Sequence, residues 1–89
     1  MLKKIEGQEM MTVWDAMNKY RDYYFHMVIT KKVDGGDNDL GYVIYTYDNK
    51  REAREIPRSE LEGKVVGRFI GVAAEKGTFI GGMEFHGKI

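Results

Sequence analysis

Residues 23–33, Tyr23-Tyr24-Phe25-His26-Met27-Val28-Ile29-Thr30-Lys31-Lys32-Val33, alternate in character at a period of two. Successive side chains of a β-strand point to opposite faces. Tyr23, Phe25, Met27, Ile29 and Val33 therefore share an apolar face, and Tyr24, His26, Val28, Thr30 and Lys32 share the other. The same period returns in Leu40 to Tyr47. There Val43, Tyr45 and Tyr47 fall on one side and Leu40, Tyr42 and Ile44 on the other. A strand apolar on both faces is buried on both, which places this one centrally in a sheet. Between them lies Asp34-Gly35-Gly36-Asp37-Asn38-Asp39, a loop signal because glycine and Asx residues tolerate turn geometry.

What packs on the sheet is expected just upstream. Thr12-Val13-Trp14-Asp15 reads as a helix start, with the Thr12 hydroxyl accepting from the N–H of residue 15 and Asp15 answering in a capping box. Val13, Trp14, Met17 and Tyr20 recur at helical spacing, so a helix over about 12–21 presents one apolar stripe. Residues 1–11 show no period and are expected to form a flexible arm or an edge segment. Residues 12–89 then form a single α+β domain.

Downstream, Asp48-Asn49-Lys50 is expected to turn the chain into a polar third strand, Arg51 to Ile56, whose alternating charges suit an exposed edge. Pro57, lacking an N–H for a ladder, ends it. Ser59 is a candidate cap for one short turn closed by Gly63. Val65 to Ala73 and Thr78 to Phe85 read as further strands, joined by a hairpin turn at Glu75-Lys76-Gly77. Gly67, Gly71, Gly81 and Gly82 within these strands point to bulges, coiling or close approach of another group. The expected fold is thus an N-terminal helix packed on a mostly antiparallel, strongly bent sheet of about five strands. A small, partly closed β-barrel with one helix is the alternative.

The bulk properties narrow the function. The 89 residues hold 14 basic and 14 acidic side chains and no cysteine. Thiolate nucleophiles, cysteine zinc ligands and disulfides are excluded. Charge balance counts against wholesale neutralisation of phosphates. No apolar run approaches a membrane span, and Met1-Leu2-Lys3-Lys4-Ile5-Glu6-Gly7 lacks the apolar region of a secretory signal. A cytoplasmic location is the expectation, with no membrane partner.

No cofactor, metal or catalytic motif is recognised. Asp34, Asp37 and Asp39 lack EF-hand spacing, since the twelfth position counted from Asp34 is Tyr45 and from Asp37 is Asp48. Without cysteine, zinc would need both His26 and His86 together with carboxylates. Gly77-Thr78-Phe79-Ile80-Gly81-Gly82 is no phosphate loop, as it lacks the lysine and the strand-to-helix context.

Two features remain. Residues 50–68 carry Lys50, Arg51, Arg54, Arg58, Lys64 and Arg68 against Glu52, Glu55, Glu60 and Glu62. A two-residue turn at Asn49-Lys50 would set Tyr45 opposite Arg54 and Tyr47 opposite Glu52. Tyr45, Tyr47, Arg51, Arg54, Arg58 and Arg68 are then the candidate binding face, pairing phosphate contacts with base stacking; the plainer alternative is a cross-strand cation–π pair. Second, six tyrosines exceed what one helix-covered face can hide, and tyrosine is enriched at interfaces. The leading expectation is a non-enzymatic binding or adaptor domain acting through protein contacts, as a homodimer or with another protein. Nucleic-acid binding through the Tyr/Arg face is the alternative. Behind both stands a small-molecule-binding or catalytic domain around His26 and Tyr24.

Overall fold

In the computed structural model of the chain, residues 1–33 and 36–72 are described. Strands β1 (Lys3–Lys4) and β2 (Met11–Thr12) precede helix α1 (Val13–Lys19), and β3 (Tyr24–Lys31) and β4 (Leu40–Tyr47) follow it. Two 3-10 segments, Lys50–Glu55 and Arg58–Glu60, then lead to β5 (Val66–Ile70). The five strands form one antiparallel sheet in the order β1-β4-β3-β5, with β2 also beside β4. The sheet is open among the described residues, so the alternative of a closing barrel does not form there. Both β1 and β2 lie along the outer side of β4, and Ile5 N–H donates to the Ile44 carbonyl between them.

Helix α1 starts as its cap residue dictates: the Thr12 hydroxyl accepts from Asp15 N–H at 3.1 Å. It ends earlier than the expected residue 21, since Tyr20 already leaves helical geometry at φ −107° and ψ 51°. Val13, Ala16 and Met17 are buried, whereas Trp14 is 46% exposed. The expected stripe through Trp14 is therefore corrected. One residue is about 100° of helical turn, so Trp14 falls outside the row that Val13, Ala16 and Met17 make.

The sheet is packed on both faces, and a bulge decides which side chains go where. His26 pairs with Tyr45, but the next residue, Met27, pairs with Val43, so Ile44 is an extra residue in β4. An extra residue disrupts the two-fold alternation. Val43 consequently joins Phe25, Met27 and the helix residues Val13, Ala16 and Met17 in one core. Tyr45 and Tyr47 join Ile56 in a second core, edged by Leu2, Tyr24, Ile44, Ala53 and Leu61. The expectation that Val43, Tyr45 and Tyr47 share a face is corrected by this one inserted residue. A second register shift lies between Ile29 and Lys31.

The expected third strand, Arg51 to Ile56, is a 3-10 segment instead. Asn49 and Glu52 form a capping box: the Asn49 side chain accepts from Arg51 N–H at 2.9 Å, and Glu52 Oε1 accepts from Asn49 N–H. With three residues per turn, positions three apart share a row. That row brings Ala53 and Ile56 together against the second core, which no two-residue period would do. The hairpin at Asn49-Lys50 is absent, and Tyr45 pairs with His26 and Lys4 rather than with Arg54. Pro57, not Ser59, occupies the cap of the second segment, and Ser59 lies within it.

The expected strand Val65 to Ala73 is seen as β5, Val66–Ile70. Beyond it Gly71 N–H donates to the Tyr23 carbonyl and Val72 N–H to the Met17 carbonyl. A Cβ on Gly71 would collide with the Tyr20 carbonyl, as one on Gly41 would with the Val28 carbonyl. Close backbone approach is thus the reason for glycine at 71. Ala73 at the end of that expected strand, the turn at 75–77, the strand at 78–85, Gly81, Gly82 and His86 lie outside the described residues.

Candidate functional site

Titratable groups gather on the face of the sheet away from α1. Tyr24 and His26 reach it from β3, and the bulge at Ile44 delivers Tyr45 and Tyr47 to it from β4. The Tyr47 hydroxyl and His26 Nδ1 share one hydrogen bond of 3.0 Å, whose direction follows the ring's tautomer. Their rings sit tilted at 5.6 Å, and Tyr24 stacks on Tyr47 at 5.7 Å. The Tyr45 hydroxyl donates to Glu60 Oε2 at 3.1 Å, and Lys4 Nζ stands 3.6 Å from the same oxygen. Residues from β1, β3, β4 and the second 3-10 segment thus meet here.

Burial sets the protonation states. His26 is 5% exposed, and loss of water, followed by the charge of Arg68 in the facing position of β5, lowers its pKa to about 4. Burial likewise raises Tyr47 and, with the Glu60 carboxylate, raises Tyr45. The imidazole is neutral near pH 7 and both phenols are protonated. A general base works best with a pKa near the operating pH and in reach of the proton it takes. His26 does not meet the first condition, and its Nδ1 is engaged by Tyr47.

The six candidate binding residues separate into two groups. Tyr45 and Tyr47 are buried, at 6% and 3% exposure, beneath the segment that carries Ala53 and Ile56. Arg51, Arg54, Arg58 and Arg68 are exposed. Arg51 and Arg54 belong to the first 3-10 segment, Arg58 to the second, and Arg68 to β5 opposite His26. The hairpin pairing of Tyr45 with Arg54 is not formed, and of the four arginines Arg68 is the one that the strand register sets on the face of His26 and the tyrosines.

Of the acidic loop, Asp39 has structural work, while Asp34 lies outside the described residues. Asp39 is buried, its Oδ1 accepts from Val33 N–H at 2.9 Å, and its carbonyl receives Val13 N–H. Among the described residues no group of three or more His, Asp or Glu side chains could hold a metal ion. No helix among them is long and apolar enough to cross a membrane.

Sequence reasoning missed the His26–Tyr47 contact, the Glu60 carboxylate and Lys4. One signal was present: Asn49-Lys50-Arg51-Glu52 has the form of a capping box and marks a helical start where a strand was expected. The partners of Glu60 carry no local signal, because they are 56 and 15 residues away in the chain.

No protein-family model matches the chain, and no curated protein or solved structure matches it either.

Proposed function

We infer that this chain is a non-enzymatic protein-binding module of the cytoplasm that associates with a second copy of itself. One observation carries the reading. Six large apolar side chains are exposed among the described residues, and four of them, Met10, Trp14, Val33 and Val65, belong to one end of the sheet. The register defines that end. Thr12 pairs with Leu40, Leu40 with Lys31, and the Val65 carbonyl accepts from Ile29 N–H. Trp14 N–H reaches the loop at the Asp37 carbonyl, at the same end. Clustered exposed apolar groups favour association, and tryptophan is among the residues that carry most of an interface's energy. Lys31, Lys32 and Asp37 beside them supply both signs of charge, as a two-fold interface between identical surfaces needs.

The sheet that bears this surface is strongly bent in this reading, a curvature supported by the two register shifts in the β3–β4 pair. Nucleic-acid binding ranks second, because the buried Tyr45 and Tyr47 offer no stacking platform. Light scattering across a concentration series tests the proposal. A mass rising to twice that of the chain is expected, and a constant monomer mass at high concentration overturns it.

A further inference from the structure

We propose that Arg51 and Arg54 form a docking surface for an extended acidic segment of a partner protein whose carboxylates stand at alternate positions. The inference rests on the reading of the domain as a protein-binding module but not on its self-association.

The segment Lys50–Glu55 has three residues per turn, so its three rows are distinct. Ala53 and Ile56 occupy the inward row, and Glu52 and Glu55 share another. Arg51 and Arg54 make the remaining row, and both are exposed. The carboxylates that could neutralise them are partly engaged elsewhere. Glu52 is paired with the Met1 amine at 3.1 Å, and Glu60 with Lys4 and the Tyr45 hydroxyl. Among the described residues Arg51, Arg54 and Arg58 have no ion-pair partner. Glu55, exposed, takes part in neither the cap nor the core, and it sits a row away.

The spacing selects the ligand. A 3-10 segment rises about 2.0 Å per residue, which sets the two arginines about 6 Å apart along the axis. Alternate residues of an extended peptide are separated by about 6.6 Å and project to the same side. Two carboxylates at i and i+2 can therefore each meet one guanidinium fork, the geometry that makes arginine–carboxylate pairs directional. A stacked nucleic-acid strand would also want aromatic rings beside the cations, and Tyr45 and Tyr47 are buried.

The test titrates the full chain with three probes at low salt and reads backbone amide shifts. The first is a serine-rich peptide with glutamates at alternate positions, and the second has as many glutamates at every third position. The third is single-stranded oligothymidylate. The alternating peptide is expected to bind more tightly than the other two. Arg51→Gln with Arg54→Gln is expected to weaken it by about tenfold or more, as the loss of two charge-assisted contacts implies. Lys19→Gln with Arg21→Gln, an equal change in net charge at exposed positions, is expected to leave binding within about twofold. Equal losses in the two double variants, no peptide binding, or tighter oligothymidylate binding would each overturn the proposal. Light scattering on the same samples separates the readings: a monomer that binds the peptide sinks self-association alone, and a dimer that ignores it sinks this docking surface alone.

Discussion

The Tyr47 hydroxyl lies 3.0 Å from Nδ1 of His26, across β3 and β4 and away from water. His26 pairs in register with Tyr45 and Tyr24 with Tyr47, so this contact is the diagonal one of the ladder. Each polar group satisfies the other where neither has solvent to turn to. The contact ties His26 of β3 to Tyr47, a member of the second core.

Removing one partner leaves the other stranded. Tyr47→Phe keeps the ring stacked on Tyr24 but abandons a buried imidazole nitrogen, at a cost of about 1–3 kcal/mol. Tyr45→Phe is expected to cost about 1 kcal/mol or less, because its partner Glu60 keeps Lys4 and partial access to water. Urea denaturation of the two variants measures the difference.

The depressed pKa of His26 makes stability depend on pH. From its ordinary 6.5 down to about 4, the unfolded chain binds a proton at this ring that the folded chain does not. Stability from this group is therefore fully present above pH 6.5, falls as pH falls through that window and levels off below about 4. The loss is on the order of 3 kcal/mol at most. His26→Gln is expected to flatten the dependence in the window, and denaturation midpoints taken along a pH series report it.

Two glycines should behave differently under the same change. Gly41→Ala drives a methyl group into the Val28 carbonyl and is expected to cost about 2 kcal/mol or more. Gly36→Ala meets nothing within 4 Å and is expected to stay within about 0.5 kcal/mol of the parent. Thermal unfolding of both variants checks the contrast.

The cap at Asn49 holds the segment that covers Tyr45 and Tyr47. Asn49→Ala is expected to destabilise the protein by about 1 kcal/mol. It should also speed amide exchange in residues 51–56 more than in β3, which hydrogen exchange followed by NMR resolves.

The α+β class and the antiparallel pairing of β3 with β4 were legible in the alternation of residues 24–31 and 40–47, because that period directly reports a strand. The Thr12 cap was legible for the same local reason. The sorting of Tyr45 and Tyr47 away from Val43 was not, since a bulge at Ile44 is a property of two paired strands and leaves no mark in one. The segment 50–55 was misread because its alternating charges imitate an edge strand, while the deciding contacts of Ala53 and Ile56 recur at three. Arg51 and Arg54 kept their exposure but lost the facing tyrosines to that difference.

Self-association through the end of the sheet that carries Met10, Trp14, Val33 and Val65 is open to an NMR dilution series of the full chain. Amide and indole shifts that change with concentration at Met10, Trp14, Val33 and Val65, and stay fixed around Tyr24, Tyr47 and Ile70 at the opposite end, are the predicted result. Shifts that do not move with concentration, or that move only at the opposite end, would contradict it.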